Sequence, residues 1–356
     1  LGQITNSTAE VQVTGAERVG GVVGALGRID PNKRPPKLEV FVVNSDATGD
    51  VEGERYVGGL VGWRAQDAAN ETSSATGTVT ATGESGPVLG NDDQVASWRG
   101  QSQRNAAVLE EMAGSGTPAD PYRIGDQREL QAMAADLDAS YRLTADIQLD
   151  SSTAPVSAAE NGGNFLSIGN KESQFSGDLD GDGHRISNLS VDKPDLVYQG
   201  MFGQTNGAVI RDLRLVNASV KGDSHAGLVA GQSENTMFEN ISVNGTVDTE
   251  WGSVGSVVGQ VAGGKIENIS ADATLSGKVM IGGIVGHADR VIIQDAQTSG
   301  TLNVVNRGGG IAGTLSYDAA LENASSDASV VGWRSVGGLV GVAYGTVANS
   351  TASGNI

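Results

Sequence analysis

The amino-acid sequence predicts an all-β protein, a parallel β-helix (β-solenoid) with rungs of about 28 residues and one short capping helix. Three observations predict this fold class. A glycine-flanked aliphatic pentapeptide returns at a nearly fixed spacing. The segments between its copies are short β-branched runs separated by Gly, Asn and Ser turns. No repeat contains an apolar period of helix length.

The pentapeptide is clearest at residues 337–341, which read Gly-Gly-Leu-Val-Gly. Its later copies end at positions 203, 230, 259, 286, 313 and 341, so the spacing between successive copies is nearly constant. Three earlier copies end at positions 24, 62 and 90. A repeat of this length with three short strands is typical of one β-helix turn, about 4.8 Å from the next. We expect the glycines to lie at corners where a positive φ or a close backbone approach excludes a Cβ atom.

Each later repeat also carries a polar residue a short, regular distance after the pentapeptide. These residues are Asp212, Asn240, Asn268, Asp295, Asn323 and Asn349. We predict that they stack along the solenoid axis, with side-chain amides bonded to the backbone or to the next rung. The column is expected to point inward and to be buried.

The chain is predicted to contain two domains. Residues 1–112 would be the C-terminal rungs of a first β-solenoid plus a closing segment, and residues 113–356 a leading, capping segment plus a second solenoid. The first two pentapeptides are farther apart than the later ones, which places an insertion at residues 27–37. This insertion is rich in proline and basic residues and is therefore predicted to be a loop. The closing segment is expected to contain a short helix at residues 105–112.

Residues 126–138 form the clearest predicted helix. Asp126 and Glu129 have the spacing of a capping box, and Leu130, Met133 and Leu137 fall on one face. Such a helix would cover the open end of the second solenoid and block edge pairing. A strand at 141–149 and a polar loop at 151–163 follow, and rungs are predicted from residue 165 to 356.

These segments resemble a known family. The Gly-Leu-(apolar)-Gly spacing is similar to the GLUG motif of bacterial and archaeal surface proteins, among them adhesins and the non-catalytic regions of immunoglobulin A1 metallopeptidases. Residues 114–124 and 141–147 resemble the segment that precedes GLUG repeats, and residues 175–189 resemble the first rung. The resemblance implies a solenoid at an extracellular or cell-surface location, and it assigns no activity.

Composition limits the function classes. The chain has 52 Gly, no Cys and a formal net charge of −19. Without Cys there is neither a disulfide framework nor a thiolate metal site. The strongly acidic balance lacks the basic footprint of a nucleic-acid-binding protein. The sequence has no apolar run long enough for a membrane span, so direct membrane insertion through a helix is not expected.

One segment superficially matches a calcium-binding loop. Residues 178–183 read Asp-Leu-Asp-Gly-Asp-Gly, but an EF-hand needs an acidic residue at its twelfth position, which here is Leu189. The family resemblance implies a tight turn between strands at this place. Calcium bound by Asp178, Asp180 and Asp182 in another geometry is the alternative, and no other cofactor is predicted.

No catalytic residues are predicted. The three histidines, His184, His225 and His287, do not form a His-Glu-x-x-His motif, so the metallopeptidase signature is absent from this sequence. Paired acidic residues on neighbouring rungs could still support a carbohydrate-active β-helix enzyme, a polysaccharide lyase or glycosidase, but the sequence singles out no pair.

Two tryptophans are candidate binding residues. Trp251 and Trp333 each lie at the same short distance before the first glycine of a pentapeptide, and Lys278 and Val305 hold the same place in the rungs between. The two tryptophans would therefore be three rungs apart, on the order of 14 Å. Such a column could bind a sugar or a protein partner. Simple packing of the two rings is the alternative.

Asn-x-Ser/Thr sequons are present at Asn6, Asn70, Asn188, Asn217, Asn240, Asn244, Asn268, Asn323 and Asn349. Most coincide with the repeat itself. Asn217 and Asn244 lie outside the polar column and are the better glycosylation acceptors if the source organism glycosylates.

The leading functional hypothesis is a non-catalytic section of a secreted or cell-surface protein that acts as a rigid stalk, filament or binding surface. Its predicted partners are neighbouring solenoid segments or head-to-tail copies of the chain, and surface glycans or proteins. Both ends of the sequence fall within a rung, so we expect the solenoid to continue beyond them or copies to stack. The carbohydrate-active enzyme is the alternative.

Overall fold

The computed structural model describes residues 105–150 and 163–356 in full, and between residues 2 and 86 it describes the backbone of the strands. The chain divides into two compact units, residues 1–101 and 102–356. The boundary predicted from the sequence lies at 112/113, so the predicted closing helix falls inside the second unit.

The first unit contains these strands among its described residues: β1 (Gly2–Thr5), β2 (Thr8–Ala9), β3 (Val13–Gly20), β4 (Val23–Leu26), β5 (Val40–Val43), β6 (Asp46–Ala47), β7 (Val51–Gly58), β8 (Val61–Arg64), β9 (Ala68–Glu71), β10 (Ser74–Ala75), β11 (Val79–Ala81) and β12 (Ser85–Gly86). They pair in parallel as β1-β5-β9, β2-β6-β10, β3-β7-β11 and β4-β8, with β12 also on β7.

The register of the first unit agrees with the predicted insertion. Gly2 pairs with Val40, whereas Val40 pairs with Ala68, so the first step along the chain is longer than the second. The extra residues fall between β4 and β5, since the later strands of this rung keep the same register as β1 and β5. Residues 27–37, which were predicted to form the inserted loop, lie outside the described residues.

The second unit begins with a helical segment α1 over residues 105–111 and contains a further helix α2 (Gln127–Ala132), which continues as a 3-10 turn over Met133–Ala135. Its described strands are β13 (Tyr122–Ile124), β14 (Ser140–Leu143), β15 (Ile147–Gln148), β16 (Asp178–Asp180), β17 (Arg185–Ser187), β18 (Ser190–Gln199), β19 (Phe202–Asn206), β20 (Val209–Arg211), β21 (Arg214–Ala226), β22 (Ala230–Glu234), β23 (Met237–Gly255), β24 (Val258–Ala262), β25 (Lys265–Gly277), β26 (Met280–Gly282), β27 (Val285–Asp289), β28 (Ile292–Gly309), β29 (Ala312–Leu315), β30 (Ala320–Glu322), β31 (Ser325–Ser326), β32 (Ser329–Gly337), β33 (Val340–Ala343), β34 (Thr346–Ala348) and β35 (Thr351–Ala352).

These strands form a parallel β-solenoid, as the sequence predicted. One sheet runs from β13 to β35, and a second has the order β19-β22-β24-β27-β29-β33. Residues of the same type meet along the axis: Phe238 pairs with Ile266, Ile266 with Ile293, and Ile293 with Leu321. Each of these pairings spans one repeat of the sequence. All four of these side chains are fully buried, so each rung contributes one layer to a continuous apolar core.

The pentapeptide lies at a corner, between strands of the two sheets, that requires glycine. A Cβ atom on Gly286 would lie 2.8 Å from the carbonyl oxygen of Met280, earlier in the same rung, and 2.7 Å from that of Gly259 in the preceding rung. A Cβ on Gly283 would overlap the carbonyl oxygen of Gly310. Neither Gly283 nor Gly286 has a positive φ. Close backbone approach, and not a left-handed conformation, therefore explains both glycines.

The polar column lies at a bend where the backbone is left-handed. Its six members have φ values of 48° to 54°. Asn240 Nδ2 donates to Asp212 Oδ1 at 2.9 Å, and Asn268 Nδ2 donates to Asn240 Oδ1 at 2.7 Å. Stacking between rungs is thus confirmed for these three residues.

The expected inward orientation of the column is wrong. Asn240 and Asn268 are exposed, whereas the residues that follow them, Ile241 and Ile269, are buried. The left-handed residue turns its side chain to solvent, so the next residue fills the interior. Asn268 accordingly bonds a neighbouring side chain and not the backbone.

Helix α2 closes the start of the second solenoid. Asp126 caps it by accepting from the backbone N–H groups of Arg128 and Glu129 at 2.8 and 2.9 Å. Leu130 and Met133 are fully buried beneath it. The helix is shorter than predicted, because its last turn tightens into the 3-10 segment. The polar loop predicted at 151–163 lies outside the described residues except for Gly163.

Two glutamine side chains of α2 pair with backbone as a neighbouring strand would. Gln131 Nε2 donates to the carbonyl of Leu166, and Gln131 Oε1 accepts from the Leu166 N–H, both at 2.9 Å. Gln127 Oε1 accepts from the Asp150 N–H at 3.2 Å, and its Nε2 donates to the carbonyl of Asn164 at 3.3 Å. These amides therefore give backbone groups near the start of the solenoid hydrogen-bond partners.

Among the described residues, no helix is both long and apolar enough to cross a membrane.

Candidate functional site

The two candidate tryptophans lie on one edge of the solenoid. Trp251 is in β23 and Trp333 in β32, and they are 51% and 77% exposed. Gly277 pairs with Val304, and Val304 pairs with Gly332, so Lys278, Val305 and Trp333 hold equivalent places in successive rungs. Val305 is 47% exposed. We call Trp251, Lys278, Val305, Trp333 and Arg334 the aromatic–cation edge.

A cationic side chain lies over each tryptophan ring of this edge. The Lys278 Nζ atom lies 4.2 Å from the centroid of the Trp251 ring, and the Arg334 guanidinium carbon lies 5.1 Å from that of Trp333. Lys278 also pairs with Glu250 at 2.7 Å. No carboxylate of the described residues lies within ion-pair distance of Arg334. The electron-rich faces of the indole rings attract both cations.

The Asp178–Asp180 strand, β16, ends in a tight turn. Asp182 and Gly183 both have positive φ, at 47° and 77°, and the His184 N–H donates to the carbonyl of Gly181 at 2.8 Å. Two successive residues with positive φ are the requirement of a type I′ turn. The Asp182 N–H donates to Asp180 Oδ1 at 2.9 Å, which further fixes the turn.

Two of the three candidate calcium ligands have protein partners. Asp180 Oδ2 accepts from Arg211 at 2.8 Å and lies 3.7 Å from Arg142. The hydrogen bond to Asp180 raises the pKa of Arg211. Asp178 Oδ2 accepts from the Ser140 hydroxyl at 3.1 Å. Within the described residues no three His, Asp or Glu side chains form a group that could hold a metal ion. Calcium at Asp178, Asp180 and Asp182 stays a prediction.

His225 and His287 belong to one electrostatic neighbourhood. The His225 ring stacks on Tyr198, with centroids 5.4 Å apart and planes 17° from parallel. Burial lowers the pKa of His225, and the nearby His287 lowers it further. Burial also lowers the pKa of His287, whose Nε2 lies 3.2 Å from the Ser316 hydroxyl. His184 lies elsewhere, 3.5 Å from Asp146.

A polar groove crosses three rungs and was not found by sequence reasoning. It has a volume of about 420 Å³, and its lining includes Asn217, Asn244 and Asp272. The signal was present in the sequence, since these three residues recur one repeat apart. The Asn244 amide donates to the carbonyl of Asp272 at 3.2 Å, and Asn217 is exposed. Of the two favoured sequons, Asn217 is the more accessible one.

Comparison with known proteins relates the repeat to the GLUG motif. Residues 334–356, which include β33, β34 and β35, match the family model described as the GLUG motif. The chain carries a GLUG motif. The match covers one rung, and the register described above relates that rung to those before it.

Similar proteins share only part of their length with this chain. Halomucin of Haloquadratum walsbyi is 38% identical over 206 residues, which are 54% of this chain and 2% of halomucin. The immunoglobulin A1 protease of Streptococcus sanguinis is 25% identical over 228 residues, 60% of this chain and 12% of that protein. The solved structure of a protein described as a candidate immunoglobulin A1 protease from Bacteroides ovatus aligns with a TM-score of 0.49 and 21% identity. That alignment covers 67% of this chain and 76% of the other.

Proposed function

We propose that this chain is a non-catalytic β-solenoid section of a secreted or cell-surface protein, in which it is a rigid spacer and a binding surface. The observation that carries the proposal is the parallel pairing that links strands of successive rungs across the second unit. Because each rung is bonded to its neighbours and shares their apolar core, bending would break many contacts together. Such a rod holds its exposed edges at fixed positions.

The proposed secreted or cell-surface location is supported by the GLUG motif and by the partial similarity to halomucin and to immunoglobulin A1 proteases. In those proteins the similar stretch is 2% and 12% of the length. A short share of a long protein is what a spacer section would occupy.

No contact among the described residues favours the enzyme alternative. The polar groove has one carboxylate in its lining, that of Asp272. Glu239 and Glu267 pair in register on neighbouring rungs, but Glu267 is bonded to Lys265 at 2.6 Å. A glycosidase needs two carboxyl groups that flank a bound sugar.

We propose that the last described rung binds a neighbouring solenoid segment. Strands β33, β34 and β35 pair on one side with β29, β30 and β31, and no described strand pairs with their other side. Val347 is 40% exposed, whereas its partner Leu321 is fully buried. A partner that presents a solenoid segment of this kind would pair with this side.

Two measurements test the proposal. Antibodies against the purified chain should detect the protein on intact cells of the source organism or in their culture medium, and a signal found only after lysis would contradict the secreted or surface location. The purified chain should release no reducing ends or unsaturated products from a panel of polysaccharides. Turnover of any of them would overturn the non-catalytic assignment.

A further inference from the structure

We propose that the aromatic–cation edge binds a carboxylated polysaccharide, whose sugar rings stack on the tryptophans and whose carboxylates pair with Arg334 and Lys278. This inference rests on the binding surface of the proposed function and names its ligand. The ligand would lie along the solenoid axis and contact several rungs at once.

The exposed apolar area of the edge favours a ligand with sugar rings. Trp333 and Trp251 present large indole surfaces to solvent on the same edge, and Val305 lies between them. The core residues of the same rungs are fully buried, so these rings are not needed to close the fold. A pyranose ring has apolar C–H faces that match an exposed indole face in size and polarity. Apolar patches of this kind mark interaction sites.

The positive charges of the edge favour a ligand that carries carboxylates. The chain has a net charge of −19 and only 23 Lys and Arg in 356 residues, yet each exposed tryptophan of the edge is next to a cation. Glu250 offsets the charge of Lys278. Arg334 has no such partner in the part of the chain that the structure describes, so its planar guanidinium is available for a carboxylate that accepts two parallel hydrogen bonds. The Trp333 end of the edge is therefore expected to contribute most of the affinity.

The spacing of the two tryptophans favours a polymeric ligand. Trp251 and Trp333 are three rungs apart, roughly 14 Å along the axis. One sugar cannot reach both rings, but a chain of several sugars can. Once the first sugar is bound, the second contact becomes intramolecular, so affinity should rise with oligosaccharide length. A nucleic acid would also offer rings and anions, but the acidic chain opposes a densely charged polymer.

The experiment is calorimetric titration of the full chain with short and long hyaluronan oligosaccharides and with neutral maltooligosaccharides of equal length. We expect binding of long hyaluronan, weaker binding of short hyaluronan and no binding of the neutral sugars. Trp333→Ala and Arg334→Gln should each raise the Kd about tenfold or more, the effect of losing one charge-assisted or stacking contact.

Tyr317→Ala is the matched control, since Tyr317 is 77% exposed, as is Trp333, and belongs to a different turn where it contacts Tyr344. This variant should bind hyaluronan like the parent chain. Equal binding of neutral sugars, unchanged affinity of Trp333→Ala or an equal loss in Tyr317→Ala would overturn the proposal.

The same measurements distinguish two other candidate partners of the aromatic–cation edge, a nucleic acid and a second copy of the chain. A single-stranded oligonucleotide that binds better than hyaluronan, or a dimer that Trp333→Ala converts to monomer, would assign the edge to a different partner. Absence of any glycan binding, with surface labelling of intact cells retained, would reject this inference and leave the spacer function standing.

Discussion

At the bend of each later rung, an asparagine or aspartate has a left-handed backbone. For other L residues with a Cβ this conformation costs roughly 1–2 kcal/mol. Asn268 combines that backbone, with a φ of 54°, and an interrung hydrogen bond to Asn240. The two contributions can be separated by substitution.

We expect Asn268→Gly to destabilise the fold by about 0.5–1.5 kcal/mol, because glycine keeps the backbone conformation and loses one hydrogen bond. Asn268→Ala should cost more, because alanine loses the bond and also resists the left-handed region. Urea unfolding gives both free energies. An alanine variant as stable as the glycine variant would show that the backbone conformation is not the main requirement.

A second residue-scale prediction concerns the pentapeptide. Gly283→Ala should destabilise by about 1–3 kcal/mol, because its Cβ would overlap the carbonyl oxygen of Gly310. Gly125→Ala is the control, since a Cβ there meets its nearest atoms at 3.5 Å without a positive φ. Thermal melts of both variants test this. Similar melting temperatures would contradict the close-approach explanation.

The histidines give a pH dependence with a definite sign. The folded chain lowers the pKa of His225 and His287, so folding favours their neutral forms. Their contribution to stability is present above the unfolded pKa of about 6.5 and is lost as the pH falls through the lower folded values. The loss should be smaller in His225→Gln and His287→Gln. Melting temperatures measured across this range check it, and identical pH profiles for parent and variants would contradict it.

The sequence predicted the place of the polar column and its stacking, but not its orientation. The nearly constant period shows that Asn240 and Asn268 occupy the same corner of successive rungs. It does not show to which side of the bend a side chain points, because that depends on one φ angle. The aromatic–cation edge was easier to predict, because the positions of Trp251 and Trp333 within their rungs are enough to place both on one edge. Arg334 was missed because its contact with the Trp333 ring depends on a rotamer.

At the scale of single elements, glutamine side chains of α2 bond to backbone groups as a strand would. Gln131→Ala would leave the part-buried N–H and C=O of Leu166 without partners, which costs up to about 1–3 kcal/mol for each group. We expect a lower melting temperature and faster hydrogen exchange of the Leu166 amide. Exposed Gln297 on β28 supplies the control variant Gln297→Ala, which should melt like the parent. Unchanged exchange at Leu166 would refute the pairing role of Gln131.

The helix itself was predictable, because the Asp126 cap and the apolar face are local signals. The backbone pairing of Gln127 and Gln131 was not. It joins groups that are far apart along the chain, through a segment with no periodic pattern. Only the three-dimensional arrangement brings those amides to the edge of the first rung.

For the whole molecule, net charge is the dominant long-range term. A charge of −19 destabilises the compact state by self-repulsion. Salt shortens the Debye length from about 30 Å at 0.01 M to about 3 Å at 1 M, so we expect the melting temperature to rise with sodium chloride concentration. Calorimetric scans over that range provide the measurement. A melting temperature that falls or stays constant would show that ion pairs such as Arg211–Asp180 outweigh the repulsion.

The cap has a consequence for how such a chain can change in length. Gln127, Gln131 and the buried face of α2 contact the first part of the solenoid and are indifferent to how many rungs come after it. Duplication or loss of one whole repeat after the first rungs would preserve every contact of the cap. It would also keep the pentapeptide corners of neighbouring rungs, such as that of Gly283, in register. The fold therefore tolerates a change in the length of the solenoid by whole rungs. An insertion of any other length must be accommodated in a loop.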